Sequence, residues 1–592
     1  MQNDRTDFIA EQTRDRVRLI WLRRGPANAL HGPMIAELGR ALANAGADPA
    51  VGGIVLAAEG AVFCAGADPS ELTRTKGSGL AELCRALETG GKPVVAALQG
   101  NAFGAGLELA LAAHARIALP AARLALPEVA LGLVPAAGAT QRLPRLVGAA
   151  PALRLLTQGA PLTAAEALAI GLVDHVVEDH LIDRAIALAS ELATRPLISA
   201  EDRREGMRDM ATYRAALTTA RARAEAGRMP APIRLVECVE AAVLLPYEMG
   251  LAFERAAFED MVASPEAQAL MHAFQAERRA LQPPPALAGR PAPRLATLGL
   301  WGGGGALADV ARQALSAGLK VVLATPDRAT LVAALERIAA RQEEMVTAGQ
   351  LSPAARDADW GRLTGTTGIE ALSGADLVLH TPEAGAAALP ATLPRAALGD
   401  GGGLSFFPAP ATGLLSEVVI PEGQPPEPLA LTYGLARRLG GKVVTCGAGG
   451  PLDARLRATL ARVVGWLEGQ GHARDTVATA LAAYGIGAGA RGRLPAPPPG
   501  SADLLAACLA ALACEGLRLM DEGTTPRAGD IDAAATISGL FPRWEGGPMY
   551  QAQRRGLMVL RADLRARAAT APALFTPPPL LDRLIAEGRR LE

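Results

Sequence analysis

KPVVAALQGNAFGAGLELALAAHARIALPAARLALPEVALGLVPAAGATQRLPRLVG, residues 92–148, decides how the rest of the chain is read. PVVAAL is a short apolar run and reads as a buried strand. QGNAFGAG is a glycine-interrupted turn, LELALAAHARI an apolar helix, and a second glycine-spaced loop follows. Two carboxylates sit in these apolar surroundings: Glu108 just inside the helix, and Glu128 directly after a proline. A buried acid is costly unless it is bonded or used. Burial also raises a carboxyl pKa towards the range where acid–base work at neutral pH is efficient.

The chain has 592 residues, too many for a single core. Its net charge is −1, and basic and acidic side chains are interleaved, so neither nucleic acid nor an anionic membrane surface is an expected partner. Cys64, Cys84, Cys238, Cys446, Cys508 and Cys514 show no C-x-x-C spacing and no histidine at metal spacing. Reduced thiols and no metal site are expected. MQNDRTDFIAEQ contains no apolar core of a secretory leader. No apolar run approaches the roughly 20 residues of a membrane span, and RRLE is not a peroxisomal address. The cytoplasm is the expected compartment.

Residues 8–25 alternate as a strand pair, PANALHGPMIAELGRALANAGADP gives a turn and an amphipathic helix, and VGGIVLAAEG is a strand closed by AVFCAGAD. This alternation runs to about Val177 and implies repeated βαβ units. From Leu181 to Leu281 the spacing turns helical, until QPPPALAGRPAP breaks it. RLATLGLWGGGGALADVARQALSAGLKVVLATPD then reads strand, glycine-rich turn, helix, strand, the opening of a dinucleotide-binding unit. A second break, RLPAPPPGSAD, precedes a final helical stretch.

GNAFGAGLELALAAHARIAL and LPEVALGLVPAAGATQRLPRLVG resemble the paired signatures of the crotonase (enoyl-CoA hydratase/isomerase) superfamily, and AVFCAGADPSEL its third element. With the helical stretch, the second glycine-rich unit and GLFPRWEGGPMYQAQ, nearly the whole chain resembles the multifunctional β-oxidation enzymes. Those fuse an enoyl-CoA hydratase to an L-3-hydroxyacyl-CoA dehydrogenase. The resemblance implies an α/β chain with a crotonase ββα spiral over 1–190, a helical linker over 191–285 and a degenerate Rossmann-like domain over 294–422. Two all-α dehydrogenase-type domains, 423–496 and 502–592, would complete it.

Carried over residue by residue, the resemblance makes Glu108 and Glu128 the catalytic acids that hold the attacking water, with Glu128 the proton donor to the α-carbon. It makes the backbone N–H groups of Ala67 and Ala105 the oxyanion hole. Gly66, Gly104 and Gly106 would permit the turns that aim those groups. Losing one such donor typically costs about 10²–10³ in rate. Relatives with only the later acid are usually isomerases, so two acids favour hydration. Cys64 reads as a packed small residue rather than a nucleophile, and Asp68 as a shaper of its loop.

The second half departs from its family. The G-x-G-x-x-G positions fall on Gly302, Gly304 and Leu307, so the third glycine is a leucine. Starting instead at Gly299 would put Trp301 at the middle glycine. Thr325 stands where the acid for the adenosine ribose belongs, with Asp327 two residues on as the alternative. Ser405 holds the place of the catalytic histidine, His380 that of its glutamate, and Gly447 and Ala454 replace Asp and Asn. Residues 390–403 are too short for the family's N-T-S loop. These changes put NAD binding in doubt and imply an inactive dehydrogenase half.

The resemblance therefore implies a hydratase for trans-2-enoyl-CoA that needs no cofactor, takes a CoA thioester as substrate, and has a thiolase or other β-oxidation enzyme as candidate partner. Three alternatives stay open on sequence. One is a bifunctional enzyme with an atypical NAD site. Another is a different crotonase reaction such as isomerisation, since one fold hosts many chemistries. The third is a non-catalytic acyl-CoA-binding protein.

Overall fold

In the computed structural model, residues 7–68, 79–410, 413–487 and 494–591 are described. They form two compact units, Met1–Leu270 and Met271–Glu592.

The first unit is built on a six-stranded sheet. In spatial order its strands are Ile9–Arg14, Val17–Leu22, Gly53–Ala58, Val94–Leu98, Ala115–Ala118 and His175–Val176. Only the first pair is antiparallel; the others run parallel. Gly53–Ala58 and Val94–Leu98 are buried along their whole length, as parallel strands covered on both faces must be. Three short strands, Ala102–Phe103, Arg123–Ala125 and Leu162–Thr163, form a separate small sheet. Strand, short cross-strand and helix then repeat as the ββα spiral.

The apolar stretch LELALAAHARI does not form one helix. The helix is Ala105–Ala112, and Ala115–Ala118 is a strand paired with Val95–Leu98. Uniform hydrophobicity hides the change of period, because the helix is buried on every side and shows no polar face. The break falls at Ala113 and His114, whose N–H bonds to Val94 O.

Helices Leu181–Leu192, Met210–Glu225, Pro230–Leu244 and Tyr247–Ala263 follow within the first unit. The last of these presents Tyr247, Gly250, Glu254, Ala257 and Met261 on one buried face.

The second unit opens on an eight-stranded sheet. Its spatial order is Leu363–Thr366, Lys320–Ala324, Thr297–Trp301, Leu377–His380, Arg395–Leu398, Ser405–Phe407, Leu415–Ile420 and Lys442–Gly447. In chain order this is 3-2-1-4-5-6-7-8, the doubly wound Rossmann arrangement, with one antiparallel pair at Ser405–Phe407 and Leu415–Ile420. Helices from Leu452–Gly469 to Pro579–Ala586 then pack around the buried helix Ala502–Asp521. Among the described residues no helix is long and apolar enough to cross a membrane.

Candidate active site

Two loops of the first unit are zipped together beside the catalytic-candidate acids. Cys64 N–H bonds to Asn101 O and Phe103 N–H to Cys64 O, so residues 64–67 run alongside 101–105. A methyl added at Gly106 would lie 2.5 Å from Cys64 O and 2.8 Å from its Sγ, which only glycine allows. Burial pushes the Cys64 thiol up to about 12, so it is a packing residue.

The two candidate oxyanion donors come from these loops. Ala67 bridges Leu30, but the bridge uses Gly66 O and the Asp68 N–H, leaving Ala67's own N–H directed away from Leu30. Asp68 also pairs with Arg24 at 2.8 Å, fixing the loop. Ala105 is the first residue of its helix, where N–H groups have no partner within the helix and the dipole is positive. A methyl on Gly104 would come within 4.0 Å of Gly66 Cα, so the loops carrying the two donors touch.

Glu108 is buried on the same helix, and its Oε1 accepts from Ala137 N at 2.7 Å and Ala139 N at 3.4 Å. Burial raises its pKa, opposed by those amides and by the Arg142 charge. Glu128 lies in the short turn Pro127–Leu131, which follows the strand Arg123–Ala125. That strand pairs with Ala102–Phe103, and Gly104 N–H bonds to Ala125 O, bringing Glu128 to the glycine turn. Its Oε1 stands 2.9 Å from where a Gly104 Cβ would be. Its Oε2 is wholly buried without a hydrogen-bond partner among the described residues. Burial first, then the charge of Glu108, pushes its carboxyl up to about 8.

A further acid, Glu254, 1 % exposed, joins this pair. Its Oε2 accepts from Thr140 N at 2.7 Å and from the Thr140 hydroxyl, and its Oε1 from Gly138 N. Burial and the Glu108 charge push it up to about 7. Beside it, Arg142 donates to both oxygens of Glu88 at 2.7 and 2.9 Å, and Tyr247 donates to Glu88 at 2.9 Å. Neither Glu254 nor the Glu88–Arg142 pair was singled out in the sequence. The available signal was an acid on the buried stripe Tyr247, Gly250, Glu254, Ala257, Met261, at strict helical spacing.

The enoyl-CoA hydratase/isomerase family model matches residues 12–228. A probable enoyl-CoA hydratase of Bacillus subtilis is 43% identical over 189 residues, 30% of this chain and 73% of that protein. The chain belongs to the enoyl-CoA hydratase/isomerase family. The NAD binding domain of 3-hydroxyacyl-CoA dehydrogenase matches residues 297–383, so the family region is followed by a dehydrogenase-type one. The peroxisomal bifunctional enzyme of Danio rerio is 41% identical over 272 residues, 45% of this chain and 37% of that enzyme. The peroxisomal fatty acid beta-oxidation multifunctional protein of Oryza sativa subsp. japonica is 33% identical over 381 residues, 62% of this chain and 52% of that protein. The match thus spans about half or less of these longer relatives. Their names are peroxisomal, which gives the cytoplasmic expectation no support.

In the dehydrogenase-type region, the glycine turn and the strand ends around it are where a nicotinamide dinucleotide would lie. Methyl positions at Gly302 and Gly303 are already taken by Thr381 Oγ1 at 2.3 Å and Thr330 Cγ2 at 2.6 Å, so side chains of the chain itself line the turn. Gly304 faces open space, and Leu307 is fully buried in the core between helix and sheet. Thr325 is buried and donates to Asp327 O at 2.8 Å. The Asp327 carboxylate caps the next helix, accepting from Thr330 N and Oγ1 at 2.8 and 2.9 Å. Ser405 is buried, and its hydroxyl donates to Gly403 O at 2.9 Å. His380 and Ser405 both register with Ala397, on strands either side of it, roughly 10 Å apart by two interstrand spacings. His380 therefore cannot serve Ser405 as a base. Thr325, Asp327 and Ser405 are thus each bonded within their own region.

Proposed function

We propose that the first unit hydrates a trans-2-enoyl-CoA to a (3S)-3-hydroxyacyl-CoA, and that the dehydrogenase-type region does not oxidise the product. The observation that carries the reading is a buried acid, Glu108, and a half-buried one with a sealed oxygen, Glu128, beside the Ala67 and Ala105 backbone N–H groups, which have no partner among the described residues. Glu108 is held by amides that favour its carboxylate, whereas Glu128 has an unbonded, desolvated oxygen and keeps its proton at neutral pH.

The thioester oxygen sits between the N–H groups of Ala67 and Ala105, which meet the negative charge that develops as the enolate forms. Water held by the two carboxyl groups attacks C3 and gives one proton to Glu108. Glu128 delivers its proton to C2, and the two acids exchange a proton through water to reset. Atoms balance, and no cofactor enters.

The test is crotonyl-CoA with and without NAD. Loss of the enoyl thioester's ultraviolet absorbance without growth of the NADH band is expected. Glu108→Gln or Glu128→Gln should lower hydration by at least about 10², within the range of general acid–base catalysis. NADH formed at a rate comparable with hydration would overturn the silent dehydrogenase region. Wild-type protein that leaves crotonyl-CoA untouched would overturn the hydratase reading.

A further inference from the structure

The loop Ala137–Thr140 leads into the helix Ala139–Val147, and its four successive N–H groups alternate between two buried carboxylates. Ala137 and Ala139 donate to Glu108; Gly138 and Thr140 donate to Glu254. Both Glu254 oxygens accept from this loop, and the residue is sealed from solvent. Its helix is tied to the same loop a second time. Tyr247 holds Glu88, Glu88 holds Arg142, and the Arg142 guanidinium donates to Ala137 O. The amide that meets Glu108 is thus fixed through its own carbonyl and through its neighbour Gly138.

We propose that Glu254 is a positioning residue for the hydration reaction, clamping the Ala137–Thr140 turn so that Glu108 is held in one orientation towards the attacking water. This rests on the hydratase reading above. The clamp lies outside both glycine-rich motifs, on a helix whose sequence reads as ordinary packing. A carboxyl group suits the task because two N–H groups and a hydroxyl converge on its two oxygens in the interior, where hydrogen bonds are strong and directional. Misplacing a catalytic group by about 1 Å can cost about 10²-fold in rate.

Glu254→Gln keeps the shape but replaces one accepting oxygen by an NH2 group that faces the loop's own N–H donors. Its kcat on crotonyl-CoA should fall about 10–100-fold with KM within about 2-fold, since the oxyanion loops are untouched. In a Glu108→Ala background, with no carboxylate left to position, the same change should cost less than about 2-fold. An equal loss in both backgrounds, or a loss confined to KM, would show a merely structural role and overturn the proposal. A crystal structure of Glu254→Gln gives a readout independent of activity: Glu108 should leave Ala137 N. Retention of that 2.7 Å contact would overturn positioning whatever the chain catalyses. Should Glu254→Gln fail to fold, Thr140→Val removes one bond of the clamp and should lower kcat about 3–10-fold with the same non-additivity; no loss would overturn the clamp. Absence of wild-type hydration would remove the hydratase reading alone, leaving the crystallographic arm to decide positioning.

Discussion

Gly104 has φ +50° and ψ −124°, a backbone region closed to other residues, and a methyl there would stand 2.9 Å from Glu128 Oε1. Gly104→Ala should therefore shift either the turn or the acid, and lower kcat about 10²-fold while the fold persists by circular dichroism. Unchanged kcat would mean Glu128 is not part of the reaction. The Glu128 carboxyl also makes a pH prediction. Its folded pKa of about 8 lies above the ordinary 4.5, so between these values the folded chain keeps a proton that the unfolded chain has released. Its contribution to stability is full below about 4.5 and is lost as pH rises through about 8. Glu108 and Glu254, also raised, act in the same direction. Glu128→Gln should thus gain Tm over wild type as pH rises from about 6 to about 9, and wild-type kcat should fall above about pH 8. A Tm difference that stays flat with pH would sink this account. Glu108 and Glu128 stand out in sequence because acids are rare in such apolar runs. Glu254 does not, because GLAFERAAFED carries several acids and its partners lie 114 and 116 residues away.

Between elements, a buried two-bond ion pair joins Glu88 on the helix Leu80–Thr89 to Arg142 on the helix Ala139–Val147. Glu88 is 5% exposed and Arg142 1%, so neither charge can turn to water if its partner goes. Glu88→Ala should destabilise the first unit by about 3–5 kcal/mol, the cost of stranding a buried charge. A loss below about 1 kcal/mol by chemical denaturation would mean water reaches Arg142. At this scale the sequence was legible where the period was clean. The alternation of residues 8–25 became the hairpin Ile9–Arg14 and Val17–Leu22. It was illegible where every position is apolar: residues 107–117 contain part of a helix, a break and part of a strand, and only the pairing of Ala115–Ala118 with Val95–Leu98 separates them. The strand–helix alternation around WGGGGAL marked the second unit as a dinucleotide-binding opening, and pairing across the sheet adds its strand order. The helix-capping place of Asp327 was not legible, because capping and ribose binding ask for the same residue type.

For the whole chain, the question is whether two compact units carry two chemistries or one. Each has its own core, so heating should not give a single two-state transition; calorimetry should resolve two. A ligand that binds only the folded form stabilises by RT ln(1 + [L]/Kd), about 2.7 kcal/mol at 100 times Kd. A non-reacting acyl-CoA, acetoacetyl-CoA, should raise one transition, and Glu108→Gln should leave that shift in place because CoA thioester binding does not need the acid. NAD and NADH should move neither transition, given the helix-capping Asp327, the buried Thr325 and the side chains lining the Gly302 turn. If the units melt together, the same question is read from whether NAD moves the single transition. Movement by NAD would mean the loop Thr325–Asp327 releases its carboxylate to the cofactor, and would restore a bifunctional enzyme. A shift by acetoacetyl-CoA alone leaves the dehydrogenase-type region a scaffold, with its glycine turn packed on its own side chains.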